Sequence, residues 1–159
     1  VQPRKEVCRN HATSTTNFSL QNTFKSQTQL EYLDLSHNGF EKIQPTFFNN
    51  LGRLLWLNIS NNAITEMSGR NFARNSLLRV LHMNHNRITR LDSNSFRGMR
   101  FMRRLYFSDN QITDVGRGTF RAVNRYVTLM IDIYKVTTLD ETTSFPRYSR
   151  YQALVFSLL

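Results

Sequence analysis

Residues 30–38, LEYLDLSHN, set a template that returns three more times at one fixed step, and that step constrains the chain more than any other feature. Advancing 24 residues at a time from Leu30 reaches Leu54, Leu78 and Met102; from Leu33, Leu57, Leu81 and Leu105; from Leu35, Ile59, Met83 and Phe107. The second half of the unit keeps the same time, with Phe40, Ile64, Ile88 and Ile112, then Ile43, Met67, Leu91 and Val115, then Phe48, Phe72, Phe96 and Phe120. Asn38, Asn62, Asn86 and Asn110 fill the ninth place throughout. Columns that repeat together in this way exclude a core assembled from unlike elements. They describe a solenoid, in which each unit buries its apolar side only against the units before and after it.

The spacing within a unit gives its local structure. In Leu33-x-Leu35 the alternation sends both leucines inward from a short strand, and stacked copies pair as a parallel sheet with about 4.8 Å between strands. The phenylalanine column fills the wider, convex half, where each ring can bury roughly 150–250 Å². An asparagine amide offers both donor and acceptor to backbone that leaves a strand and would otherwise be buried unpaired. Asn38, Asn62, Asn86 and Asn110 are therefore read as a structural ladder and not as ligand-binding residues.

Full units span residues 30–53, 54–77, 78–101 and 102–125. Phe24 lies one step before Phe48, so residues 18–29 read as the back half of a preceding unit, and residues 1–17, polar and without period, as an irregular lead-in. A degenerate unit over 126–150 keeps Leu129, Ile131, Val136 and Leu139. Tyr134 stands in it where the next asparagine is due, and Phe145 arrives one residue late. Residues 151–159 are a terminal remnant, and 18–159 form one domain. The break after Arg125 fits either a worn terminal unit or a change of frame or splicing.

Charge is placed unevenly. Lys and Arg number 21 against 11 Asp and Glu, a formal +10, and within residues 70–125 twelve arginines face only Asp92, Asp109 and Asp114. Arginine suits bidentate capture of carboxylate, sulfate or phosphate. Arg79 and Arg103 share one column, with Arg104 and Arg100 close in sequence, and these four are the polyanion candidates. Sulfated glycan ranks ahead of nucleic acid as the partner such a field would draw. Catalysis has little to work with: Cys8 is alone and closes no intrachain disulfide, and no carboxylate or cysteine completes a zinc set around His82 and His85. No enzyme activity, metal or cofactor is expected. The longest apolar stretch at the C-terminus, ALVFSLL, is far short of the roughly 18 residues that span a bilayer. VQPRKEVCRNH lacks the apolar segment of a signal peptide, so the chain reads as an excerpt or processed form without leader or anchor.

Side chains between the inward leucines form two outward columns, Tyr32, Trp56, Val80 and Arg104, then Asp34, Asn58, His82 and Tyr106. Aromatics and arginine dominate interface energies, so Tyr32, Asp34, Trp56, Asn58, His82, Arg104 and Tyr106 are the candidate contacts for a protein ligand. Asn17-Phe18-Ser19 and Asn58-Ile59-Ser60 are acceptors for N-glycans in a secreted chain, and a glycan on Asn58 would crowd Trp56 and His82.

With LDLSHN, LNISNN, LHMNHN and LYFSDN in one register, residues 30–125 resemble the typical class of leucine-rich repeats found in extracellular receptors and adhesion proteins. The run SNSFRGMRFMRRLYFSDNQITDVGRGTF is similar to insect cell-surface proteins of the chaoptin and artichoke type, with Toll-like ectodomains as more distant relatives. The resemblance implies a leucine-rich-repeat solenoid, a curved α/β-type horseshoe segment with short parallel strands on its concave face and loops, turns and short helical segments on its convex face. It further implies a secreted or cell-surface, glycosylated, non-catalytic protein that binds a protein ligand or receptor in adhesion, matrix organisation or recognition. Two other expectations stand beside it: innate-immune recognition of a polyanion by the arginine-rich units, and a structural matrix element that associates with itself.

Overall fold

The computed structural model describes residues 24–67, 69, 71–123, 126–132 and 136–137, and the backbone of 5–7 and 138–139. Each L-x-L segment forms a short strand with its leucine inward: β2 Tyr32–Asp34, β3 Trp56–Asn58, β4 Val80–His82 and β6 Arg104–Phe107, followed by β8 Thr128–Ile131. Leu33, Leu57, Leu81, Leu105 and Leu129 are all fully buried. The strands pair in parallel at the step seen in the sequence, Tyr32 opposite Trp56, Trp56 opposite Val80, Val80 opposite Arg104 and Arg104 opposite Thr128. An irregular lead-in over residues 1–17 does not hold throughout. Lys5–Val7 form β1, which extends the sheet by pairing Lys5 with Tyr32, a longer step than 24. Parallel pairing uses backbone groups alone, so a Lys-Glu-Val segment without the L-x-L pattern can join the sheet.

The convex side differs from the expected loops and short helices in one respect. A second parallel sheet runs there, β5 Arg90–Leu91, β7 Asp114–Val115 and β9 Thr138–Leu139. Its segments lie in ITRL, ITDV and VTTL, whose β-branched residues favour extended backbone; the equivalent FEKI and ITEM of the first two full coils form no strand. Among the described residues the helical element of this side is a single 3-10 turn at Thr119–Ala122.

Phe24, Phe48, Phe72, Phe96 and Phe120 are buried in one file. Phe48 stacks on Phe72 with centroids 5.5 Å apart and Phe96 on Phe120 at 5.6 Å, while Phe107, where other coils carry Leu35, Ile59 and Met83, meets Phe96 edge-on.

The turn after each strand is built by two columns. His37, Asn61, His85 and Asp109 adopt left-handed backbone with φ of 59, 56, 53 and 58°, a region that Asn, Asp and His enter more readily than other non-glycine residues. The asparagines that follow tie the coils together. Asn62 Nδ2 donates to Leu35, Ile59 and Ser60 carbonyls while its Oδ1 accepts from the Asn38 and Phe40 N–H groups. Asn86 and Asn110 repeat this arrangement one and two coils on. In the second full coil Asn71 and Asn75 reach back through the convex core to the carbonyls of Ile43, Phe48 and Leu51. Cys8, Asn17, Arg125, Tyr134, Phe145 and the remnant 151–159 lie outside the described residues.

Candidate ligand-binding face

Strand register places the two outward columns side by side on the concave sheet, Tyr32, Trp56, Val80 and Arg104 in one file and Asp34, Asn58, His82 and Tyr106 in the next. The structure connects them diagonally. Tyr32 lies 6.4 Å from Trp56 between ring centroids, Trp56 lies 5.4 Å from His82 in the neighbouring file, and His82 stacks on Tyr106 at 4.3 Å with planes 5° apart. Four rings therefore cross four strands without interruption. Each is half-buried, so one face of the run packs against its neighbours and the other meets solvent. The columns alone do not reveal this, because Trp56 and Tyr106 stand in different files two strands apart, and His82 is what joins them.

Burial between the rings lowers the His82 pKa below its ordinary 6.5, and the nearby Asp34 carboxylate pulls it partly back up. A neutral imidazole suits its place, since a flat stack on Tyr106 buries the faces of both rings.

Asp34 and Asn58 are brought to the same face, but their oxygens already have work to do. Asp34 Oδ1 accepts from the Ser36 N–H at 3.0 Å and the Ser36 hydroxyl at 2.7 Å, and Asn58 Oδ1 accepts from the Ser60 N–H at 3.0 Å. Both shape the turn out of their strand. The Asn58-Ile59-Ser60 sequence thus repeats a turn that Asp34-Leu35-Ser36 makes one coil earlier without being a glycan acceptor. Arg104 is exposed at the edge of the ring run, and Arg79, Arg100 and Arg103 are exposed outside it.

Outward-column reasoning missed three apolar side chains. Leu77, Phe101 and Tyr126 are 40, 58 and 53 % exposed. A signal existed for the first two: they occupy the place just before the unit, where the earlier coils carry Gln29 and Arg53.

A stack of parallel coils with an apolar interior, an amide ladder and a solvent-facing band of rings is a repeat module built to present a surface. The family model described as "Leucine rich repeat" matches residues 28–88 and 76–131, and the chain belongs to that family. Among solved structures it is similar to the Toll chain of "Structure of the Toll - Spatzle complex, a molecular hub in Drosophila development and innate immunity", with 19 % identity and a TM-score of 0.63 over 82 % of this chain and 20 % of that one. It is also similar to the chain of "Crystal structure of TLR13-ssRNA13 complex", with 23 % identity and a TM-score of 0.53 over 70 % of this chain and 19 % of that one. The chain thus spans about a fifth of the length of either. A sequence search of curated proteins finds none that matches. Among the described residues no helix is long and apolar enough to cross a membrane.

Proposed function

We propose that the chain is a segment of a non-catalytic, extracellular or cell-surface protein that binds a protein ligand through its concave face, in adhesion, matrix organisation or recognition. The observation that carries this reading is the continuous run Tyr32–Trp56–His82–Tyr106. The core does not require these rings, since Leu33, Leu57, Leu81 and Leu105 already fill it. An aromatic band flanked by Arg104 has the composition of interface hot spots. The titled complexes of the two similar structures, Toll with Spatzle and TLR13 with an RNA, support ligand binding by coils of this shape. The chaoptin and artichoke likeness supports the adhesion branch of the proposal.

Binding of fluorescently labelled protein to intact cells tests it, with and without pretreatment of the cells by trypsin or heparinase. Trypsin is expected to abolish binding and heparinase to spare it. Changing Tyr32, Trp56 and Tyr106 together to Ala should remove binding while the far-UV circular dichroism stays unchanged. Undiminished binding of a folded triple variant would refute the concave reading.

A further inference from the structure

Each full coil enters its strand through the same tight turn. The turns are closed by hydrogen bonds from the N–H of Leu30 to Gln27 (3.0 Å), Leu54 to Leu51 (3.1 Å), Leu78 to Asn75 (3.0 Å) and Met102 to Met99 (3.3 Å). Their central pairs are Thr28-Gln29, Gly52-Arg53, Ser76-Leu77 and Arg100-Phe101. Such positions favour Gly, Asn, Asp, Ser or Pro, which supply special backbone angles or local hydrogen bonds; Leu and Phe supply neither. Leu78 and Met102, the residues that follow, already occupy the core. Yet Leu77 and Phe101 hold the tips of successive turns, 40 and 58 % exposed. The next coil continues the series by a reversal: Met102 is buried and Arg103 exposed, whereas Tyr126 is exposed and Val127 buried.

Arginines interleave with these apolar residues. The N–H of Arg79 bonds to the Leu55 carbonyl and that of Arg103 to the Arg79 carbonyl, both at 2.8 Å, so the two guanidinium-bearing residues sit side by side just before the neighbouring strands β4 and β6, and Arg100 shares the turn of Phe101. All three are exposed. The column that Arg79 and Arg103 complete begins with Glu31 and Leu55, so its one acidic member lies two coils before Arg79 and three before Arg103.

We infer that this rim, formed by Leu77, Phe101 and Tyr126 with Arg79, Arg100 and Arg103, docks an acidic protein segment that carries apolar anchors. Its charge calls for an anionic partner. A sulfated glycan, expected from charge alone, is met by guanidinium groups and leaves the apolar tips without a role. A second copy of this chain would set the same arginines against one another. Apolar anchors between arginines are what a protein hot spot requires, and the rim is separate from the ring run on the concave face.

The test uses fluorescence anisotropy with a labelled synthetic peptide that alternates Glu with Phe and Leu. Oligoglutamate of equal charge, heparin and phosphatidylserine vesicles serve as comparison probes. The mixed peptide should bind more tightly than oligoglutamate. Leu77→Ser with Phe101→Ser should weaken it about tenfold or more, as loss of hot-spot anchors does, and Arg100→Gln with Arg103→Gln should weaken both peptides and flatten their salt dependence. These side chains are exposed, so matching thermal melts show that the variants fold. The inference is overturned if oligoglutamate or heparin binds as tightly as the mixed peptide and the serine pair changes nothing, or if vesicles bind through Leu77 and Phe101 while the peptide does not. The Tyr32, Trp56 and Tyr106 triple alanine variant should keep its affinity for the peptide, which separates failure here from failure of the concave reading.

Discussion

Truncating Asn86 to Ala removes the central rung of the ladder, and the hydrogen bonds around it give the expected loss. Asn86 is 5 % exposed. Its Nδ2 donates to the carbonyls of Ile59 (3.0 Å), Met83 (3.1 Å) and Asn84 (3.3 Å), and its Oδ1 accepts from the Ile64 N–H at 3.1 Å. The three carbonyls keep a second donor, from Asn62 Nδ2, Asn110 Nδ2 and the Asn61 N–H respectively. Ile64, fully buried, loses the acceptor for its N–H. An orphaned buried donor costs about 1–3 kcal/mol, and three carbonyls reduced to one partner add roughly 0.5 kcal/mol each. The sum is about 2.5–4.5 kcal/mol, a large share of the roughly 5–15 kcal/mol that holds a domain folded. In urea titrations followed by circular dichroism this is a midpoint lowered by about 1 M at a slope of roughly 3 kcal/mol/M, and by more at shallower slopes. Asn84→Ala is the control, because Asn84 Oδ1 accepts the Ser108 N–H on the half-buried surface, a contribution of about 1 kcal/mol. A loss for Asn86→Ala no greater than that of Asn84→Ala would refute the ladder argument.

Two further perturbations test other parts of the stack. The folded state holds the His82 pKa below 6.5, so the unfolded chain takes up the proton first. Its contribution is complete above pH 6.5, falls as the pH drops through that value, and levels off below the lowered folded pKa. Urea midpoints measured between pH 8 and 5 should therefore decline more steeply for the native chain than for His82→Gln, and parallel profiles would contradict the burial argument. Asn75 Oδ1 is buried without a hydrogen-bond partner, whereas Leu51 and Met99 hold the equivalent place in the adjacent coils and are fully buried. Asn75→Leu should leave stability unchanged or raise it by about 1 kcal/mol, because the Phe48 and Leu51 carbonyls that lose Nδ2 keep the N–H groups of Leu51 and Leu54; a clear loss in calorimetric melting temperature would show that the amide is needed.

The regular part of this architecture was legible because one number, the repeat step, determines which residues become neighbours. Strand pairing from Tyr32 through Thr128 uses the same step that aligns the leucines. What escaped the pattern depends on backbone or on diagonal contact. Lys5–Val7 pair without the leucine signature, and the sheet at Arg90, Asp114 and Thr138 arises where β-branched residues happen to meet in register. The ring run was visible as residues but not as a run, since a Trp and a His in separate files touch only when the strands are laid side by side. Leu77 and Phe101 were hidden by attention to strand positions. Their turn lies just outside the alternating segment, where no periodicity says which way a side chain points.

The direction of the ladder bears on how the chain folds as it is made. Each asparagine reaches backward for a carbonyl, Asn62 to Leu35, Asn86 to Ile59 and Asn110 to Met83, while the N–H groups of Phe40, Ile64 and Ile88 wait for the asparagine of the coil that follows. A coil leaving the ribosome is therefore incomplete until its successor has emerged, and the amide that completes it comes from residues not yet translated when its own strand forms. In a stack that stops inside this stretch, the last finished coil has an N–H at its outer face that water alone can answer.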